Sequence, residues 1–376
     1  MPVPEPTAGA ASWHRPDTLR TVNAVDPPEP PLNGFASDNA AGMHPMIAEA
    51  FMSANHGRSL AYGEDAWTRE CERELADLFG GVGQAFLVWG GTGGNVMALA
   101  TMLRPAEAVV CSRWAHIHVD EAAAPERVLG AKLLALPSDD GKVQPEALDD
   151  LVHSSRGVHH AQPGVLSITQ PTELGALYRP DEVAALCDTA HRLGMRVHLD
   201  GARLANATAA LGGTREALRS FTIEAGVDVV TFGATKGGLP YGEAVVYLDP
   251  DLARRAPYVR KQVTQLPSKM RFIAAPMLAY LRDDLWLRLG QHANAMARRL
   301  YDSVRHIPGV QVGAEPEVNS IYPVLPHDVI EPLQQWSFFW DWDHSRHQVR
   351  WMTAWDTTDD DVARFAEGVA WWCDRS

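Results

Sequence analysis

The pattern of apolar residues predicts an α/β fold: a mostly parallel sheet flanked by helices, followed by a smaller C-terminal α+β part. Three observations carry this reading. Short apolar runs recur between residues 85 and 248, as expected of strands buried on both faces. Stretches with apolar residues at three- and four-residue steps fall between several of them, so strand and helix alternate. Beyond about residue 276 the alternation gives way to a long, largely helical section and then to short strands mixed with aromatic residues.

Along the chain, residues 1–33 hold eight prolines and few large apolar side chains. Such a segment cannot offset its ordering entropy and is predicted to be a mobile or surface-draped tail. The folded part begins at Asn33-Gly34-Phe35, with a large domain over 34–275 and a small one over 276–376. A helix is predicted over 65–79, where Trp67, Cys71, Leu75 and Leu78 share one face. A strand over 85–89, a glycine turn and a helix over 92–103 follow. Further strands are predicted at 108–111, 132–135, 165–169, 195–199, 227–232 and 244–248, with a helix over 180–193. The 276–304 section is helical, and 359–372 is a closing helix.

The 376 residues suffice for a full core, and 46% hydrophobic with 21% charged residues is an ordinary globular composition. A formal charge of −14 argues against nucleic acid or an anionic membrane surface as the main partner. Four widely spaced cysteines form no metal or disulfide pattern, and no apolar run reaches the ~20 residues that span a bilayer. A cytoplasmic protein is expected.

Chemistry concentrates at strand ends. The run 195–199 ends on Asp200, and Arg203 follows. The run 227–232 leads through a glycine to Thr235-Lys236, one of only five lysines in the chain. A lysine that can form a Schiff base, with a carboxylate able to keep a pyridine nitrogen protonated, suits pyridoxal 5′-phosphate. Taken singly, Asp200 also reads as a helix cap and Lys236 as a surface lysine in a glycine-rich turn; their order at strand ends favours the cofactor. Gly91-Thr92-Gly93 joins a strand to a helix, where backbone N–H groups can hold a phosphate; a merely tight turn reads equally well from these residues alone. His116 and His118 in AHIHVDEAAAPE offer a ring that stacks on the cofactor or takes a proton, or, on one side of a strand, two metal ligands. No third ligand follows, so no metal is expected. Arg350, inside the alternating segment QVRWMTAW, suits a carboxylate if it points inward.

At these residues the chain resembles the low-specificity L-threonine aldolases. The motifs are FASDNAAG, AYGED, GGTGGN, AHIHVDEAAAPE, SITQPTELG, HLDGAR, FGATKGG, SKMRF and VRWMTAWDTT, spread from Phe35 to the C-terminus. The resemblance implies a fold-type-I, pyridoxal-phosphate-dependent transferase-like large domain. It also implies cleavage of L-threonine, L-allo-threonine or related L-3-hydroxy-α-amino acids to glycine and an aldehyde, reversibly. Lys236 would be the Schiff-base lysine and Asp200 the pyridine partner, with Gly91, Thr92 and Gly93 on the phosphate. His116 would stack on the ring and help with the substrate hydroxyl, and His159 matches a second histidine near it. Ser37 and Arg350 would bind the substrate carboxylate, and Arg203 that carboxylate or the cofactor's O3′ side. Lys261 and Arg271 lie in the segment that reaches a cofactor phosphate, across a dimer interface. A homodimer or homotetramer with sites at the subunit interface is implied as well. Many members carry E-N-T where this chain has Thr169 to Thr172, which leaves the role of Gln170 open. β-Elimination or transamination on the same fold is the alternative reaction, and a catalytically silent cofactor-binding protein a more distant one.

Overall fold

The computed structural model describes residues 26–375. Most of the predicted tail, 1–25, lies outside the described residues. The rest of it, 26–33, lies on the C-terminal part: Trp336 Nε1 donates to the Pro28 carbonyl, and the Asn33 backbone N–H donates to Asp361 at 2.9 Å.

Seven strands build the main sheet: β1 (Gln84–Val88), β2 (Glu107–Ser112), β3 (Lys132–Leu136), β4 (Gln162–Thr169), β5 (Arg196–Gly201), β6 (Val229–Phe232) and β7 (Glu243–Tyr247). Their order is β1-β7-β6-β5-β4-β2-β3, with β7 antiparallel to both neighbours and the other pairs parallel. Central strands such as β5 to β7 are almost wholly buried, and the few polar side chains that interrupt their apolar runs, such as His198 and Thr231, bond each other. A second, antiparallel sheet has the order β8-β10-β9, from β8 (Ser320–Ile321), β9 (Trp340–Asp343) and β10 (Gln348–Met352). Its core gathers Phe339, Val349, Trp351 and Phe365 with Phe35.

Helices Ala66–Leu78 and Pro180–Arg192 follow the expected three- and four-residue spacing, whereas Gly91–Met102 is buried on nearly all sides from Gly94 onward. The 276–304 section differs. Pro276 lies inside the helix Arg271–Leu281, and the break falls at Asp283 and Asp284, whose φ values of 50° and 52° are left-handed and end the hydrogen-bond ladder. The helix Leu285–Val304 follows. Two ties position the site's rim. Met352 N–H donates to the Phe35 carbonyl, and His44 N–H donates to the Gly238 carbonyl just past Lys236. Residues 36–43 are thereby strung from the small sheet to the lysine turn. Among the described residues, no helix is long and apolar enough to cross a membrane.

Candidate active site

The carboxyl ends of the parallel strands meet in two adjoining cavities. The inner one, about 50 Å³, is lined by Gly91, Thr92, Asn95, Asp200 and Lys236, among others. The outer one, about 350 Å³, is lined by Ser37, Asn39, Asp120, Trp340, Trp342 and Arg350, among others. His116, Glu173, Arg203 and Lys236 line both. A larger cavity, about 610 Å³, opens at the amino ends of β2, β4 and β5. Its His191 and Arg196 are bound to Asp228 and Asp249, and it contains no lysine.

Asp200 sits in register between Thr169 of β4 and Thr231 of β6. One of its oxygens accepts from the Ala202 N–H at 3.0 Å and the other from Asn95 Nδ2 at 2.8 Å. The Asn95 amide also donates to Glu121 at 3.0 Å, and Glu121 bonds His116 Nδ1 at 2.9 Å. A chain of polar contacts therefore runs Asp200–Asn95–Glu121–His116. Two residues before Asp200, buried His198 bonds Ser167 of β4 and Thr231 of β6 at 2.9 Å each. Burial pushes its pKa down to about 4, so it is a neutral tie across three strands.

Glycine brings the ends of β5 and β6 together: a Cβ at Gly233 would lie 2.4 Å from the Ala202 carbonyl oxygen. That approach places the turn Thr235–Gly237 beside Asp200. Lys236 makes no hydrogen bond or ion pair with the described residues. Burial, then the charge of Arg203, lowers its pKa, while Asp38, Asp200 and Glu243 act in the opposite sense. An amine in this setting is more easily neutral and nucleophilic. His116 opens a short helix, His116–Val119, instead of a strand, so the two histidines of the H-x-H motif do not share a side; His118 is exposed. The Glu121 bond raises the His116 pKa and leaves Nε2 as the ring nitrogen available for proton exchange. Among the described residues, no three His, Cys, Asp or Glu are grouped to hold a metal.

The residues present fit a pyridoxal phosphate. The helix Gly91–Met102 has no side-chain cap, and Gly91 and Thr92 at its start line the inner cavity. A Cβ at Gly93 would fall 2.2 Å from the Gln265 amide, whose Oε1 accepts from Trp89 N–H at 3.0 Å, so a larger residue there would have to displace that bond. Asn95 Oδ1, Glu121 Oε2 and Glu173 Oε2 are buried polar atoms without a partner in the same wall, as expected where a polar group binds.

The outer rim differs from expectation in one of its arginines. Arg203 donates from Nε at 2.6 Å and from Nη2 at 3.0 Å to Asp38, a buried carboxylate also bound by Asn319 at 3.1 Å. Burial alone would raise the Asp38 pKa, but the Arg203 charge overrides it and holds the carboxyl below its usual range. Arg203 is therefore largely committed within the protein. Arg350 is not: its guanidinium stacks on Trp342 at 5.4 Å, and its buried Nε has no partner. Ser37 lines the same cavity and its hydroxyl caps the turn Asp38–Ala40, accepting from Asn39 N–H at 3.2 Å.

Three expected residues are not in this cluster. His159 is exposed in the loop before β4, at the amino end of the strand whose carboxyl end, Thr169, borders the site. Eight residues at ~3.3 Å each put about 25 Å between them, so His159 does not reach this chain's own cavity. Lys261 lies over the Tyr62 ring at 4.8 Å, and Arg271 donates to the Gly57 carbonyl at 3.4 Å; neither lines either cavity. Gln170, whose role the motif left open, ties the Tyr178 backbone N–H and carbonyl, which is structural. Sequence reasoning missed Asp38, Asn95, Glu121 and Glu173. All four stand inside motifs noted above, but only the fold shows which of them meet.

Comparison with known proteins agrees with this geometry. The beta-eliminating lyase family matches residues 34–325. A low specificity L-threonine aldolase of Pseudomonas aeruginosa is 39% identical over 338 residues, covering 89% of this chain and 96% of that protein. The structure of the Leishmania major threonine aldolase superposes with a TM-score of 0.82 at 28% identity, covering 89% and 98% of the two chains. Mouse CSAD in its apo form, at 16% identity and a TM-score of 0.72 over 90% and 84%, shares the fold alone. With the mostly parallel seven-stranded sheet, these matches give the fold-type-I architecture of pyridoxal-phosphate enzymes. The chain belongs to the beta-eliminating lyase family and, within it, to the pyridoxal-phosphate-dependent low-specificity L-threonine aldolases.

Proposed function

We propose that this protein cleaves L-threonine, L-allo-threonine or related L-3-hydroxy-α-amino acids to glycine and an aldehyde, reversibly. The observation that carries the reading is the Lys236 amine and the Asp200 carboxylate in one small cavity at the ends of β6 and β5. Gly91, Thr92 and Gly93 would hold the cofactor phosphate, Asp200 its pyridine nitrogen and Lys236 its aldehyde. When bound, the cofactor supplies an electron-accepting ring for the pair released by the broken carbon–carbon bond.

The chain's own groups set the rest. Arg350 and Ser37 fix the substrate carboxylate in the outer cavity, which orients the bond to be broken. Arg203 shapes that cavity through its pairing with Asp38. His116 takes the β-hydroxyl proton at Nε2, with Glu121 on Nδ1 supporting the charge it gains. The indole walls of Trp340 and Trp342 border the remaining space. We also assign the large domain to 34–275 and the small one to 276–376, and a cytoplasmic homodimer or homotetramer as the working form. In such an assembly Lys261, Arg271 and His159 would serve a neighbouring subunit's site.

Incubation with threonine, allo-threonine and phenylserine should release glycine and aldehyde; ammonia and a keto acid would instead indicate elimination. Lys236→Ala should lose both the visible cofactor absorbance of the wild type and aldehyde release. A fully active Lys236→Ala would end the assignment.

A further inference from the structure

Four residues line both cavities, and the reacting carbon has to sit where the cavities meet. Three of the four are accounted for: Lys236 anchors, Arg203 is spent on Asp38, and His116 serves the hydroxyl. The fourth, Glu173, is not. Its Oε1 accepts from the His116 backbone N–H at 2.7 Å and from Thr169 Oγ1 at 2.9 Å. The Glu173 carbonyl accepts from Tyr322 OH at 2.6 Å, so the residue is held at three points. Its Oε2 is buried and has no partner among the described residues.

We propose that Glu173 is a further catalytic residue, whose Oε2–H delivers the proton that turns the amino-acid fragment into glycine. The inference rests on the aldolase reading. Burial pushes the Glu173 pKa up to about 7, and the negative charge of Asp200 adds to the effect. Arg203 and Lys236, across the shared wall, and His116 and Tyr322, in contact, are the other titratable groups that face it. A carboxyl poised near 7 is partly protonated at neutral pH and can both give a proton and take one.

The proton count closes. The β-hydroxyl O–H breaks and its proton goes to His116. The carbon–carbon bond breaks, its electron pair staying with the amino-acid fragment as the aldehyde C=O forms. Cα then takes the Glu173 proton, and the proton on His116 returns to Glu173 through the solvent of the outer cavity.

The test is α-proton exchange of glycine in deuterium oxide, followed by NMR on the holoenzyme. This exchange needs a group that takes and returns a proton at Cα but no β-hydroxyl, so it separates the inference from the aldolase reading, which aldehyde release tests independently. Glu173→Gln should keep cofactor absorbance and lose exchange on the order of 100-fold. Glu173→Asp, which retains an acid, should recover part of the rate. By microscopic reversibility the Glu173 carboxylate takes the α-proton from glycine, so wild-type exchange should rise as pH rises through about 7, and Glu173→Gln should lose that limb. The infrared difference between wild type and Glu173→Gln at pH 6 should contain the band of one neutral carboxyl, that of Glu243 cancelling between the two proteins. Exchange at the wild-type rate in Glu173→Gln would overturn the proposal and return the proton to Lys236. Equal losses in the Gln and Asp variants would reduce Glu173 to a structural role and overturn it too.

Discussion

The inner and outer cavities adjoin, yet they are built in opposite ways. The inner one rests on strand ends, and its Asp200, Glu121 and His116 are joined through Asn95 into one network. The outer one is assembled from distant segments: residues 37–39, the short helix at His116, and the β9–β10 hairpin. The contrast is sharpest between the two arginines. Arg203 is locked on a buried carboxylate, whereas Arg350 lies against an indole with its Nε unpaired. A closed network fixes charge where the chemistry needs it, and an unspent cation is available to a ligand that comes and goes.

Breaking the inner network should have the largest effect. Asp200→Asn keeps the shape and the Asn95 contact but removes the charge. Cofactor absorbance should persist while turnover drops on the order of 10²–10³-fold, as for the loss of one preorganised electrostatic contact. Stopped-flow and steady-state rates check this, and a variant within a few fold of wild type would place the cofactor elsewhere.

The arginines sharpen the comparison next. Arg203→Ala leaves Asp38 buried with only Asn319, and stripping one partner from a buried pair costs about 3–5 kcal/mol. The thermal midpoint should fall clearly. Arg350→Ala leaves no protein carboxylate unpaired, so the midpoint should hold. Lost charge-assisted bonds to substrate, about 1.5–3 kcal/mol, should instead raise KM roughly 10- to 100-fold with little change in kcat. If both variants melt alike and both raise KM, the assigned division of labour is wrong.

How far the sequence foretold this follows the same line. The inner residues Asp200, Lys236 and the turn Gly91–Gly93 lie next to short, largely apolar runs, so their strand-end positions could be read from the pattern. Asp38 could not, because its meaning is its contact with Arg203, 165 residues away, and with Asn319, 281 residues away. Glu173 was equally hidden: nothing local tells a loop carboxylate in TQPTELG that its Oε2 will lie between two cavities. Motif resemblance singled out Arg350 and Ser37, which line the outer cavity, and also His159, which does not. Its position before β4 puts it at the wrong end of the strand within one chain.

The smallest effect concerns Glu243, which ties the lysine turn to β7 by accepting from the Ala234 N–H at 2.5 Å. Burial pushes its pKa up to about 7, despite the opposing contacts of Thr235, Ala234 and Lys236. Unfolded, a glutamate ionises near 4.3. Between about pH 4.5 and 7 the unfolded chain therefore gives up a proton that the folded one keeps, and wild-type stability falls as pH rises through that window. Glu243→Gln keeps an acceptor for Ala234 N–H but has nothing to titrate. Its thermal midpoint should sit near that of the wild type at pH 5 and gain on it by pH 8, by on the order of 1–3 kcal/mol in stability. Melting curves of the two proteins at pH 5, 6, 7 and 8 decide the matter. Midpoints that stay parallel across the series would mean that Glu243 is already ionised in the folded protein, its charge held by Lys236. The inner network would then carry one more fixed negative charge than its burial allows.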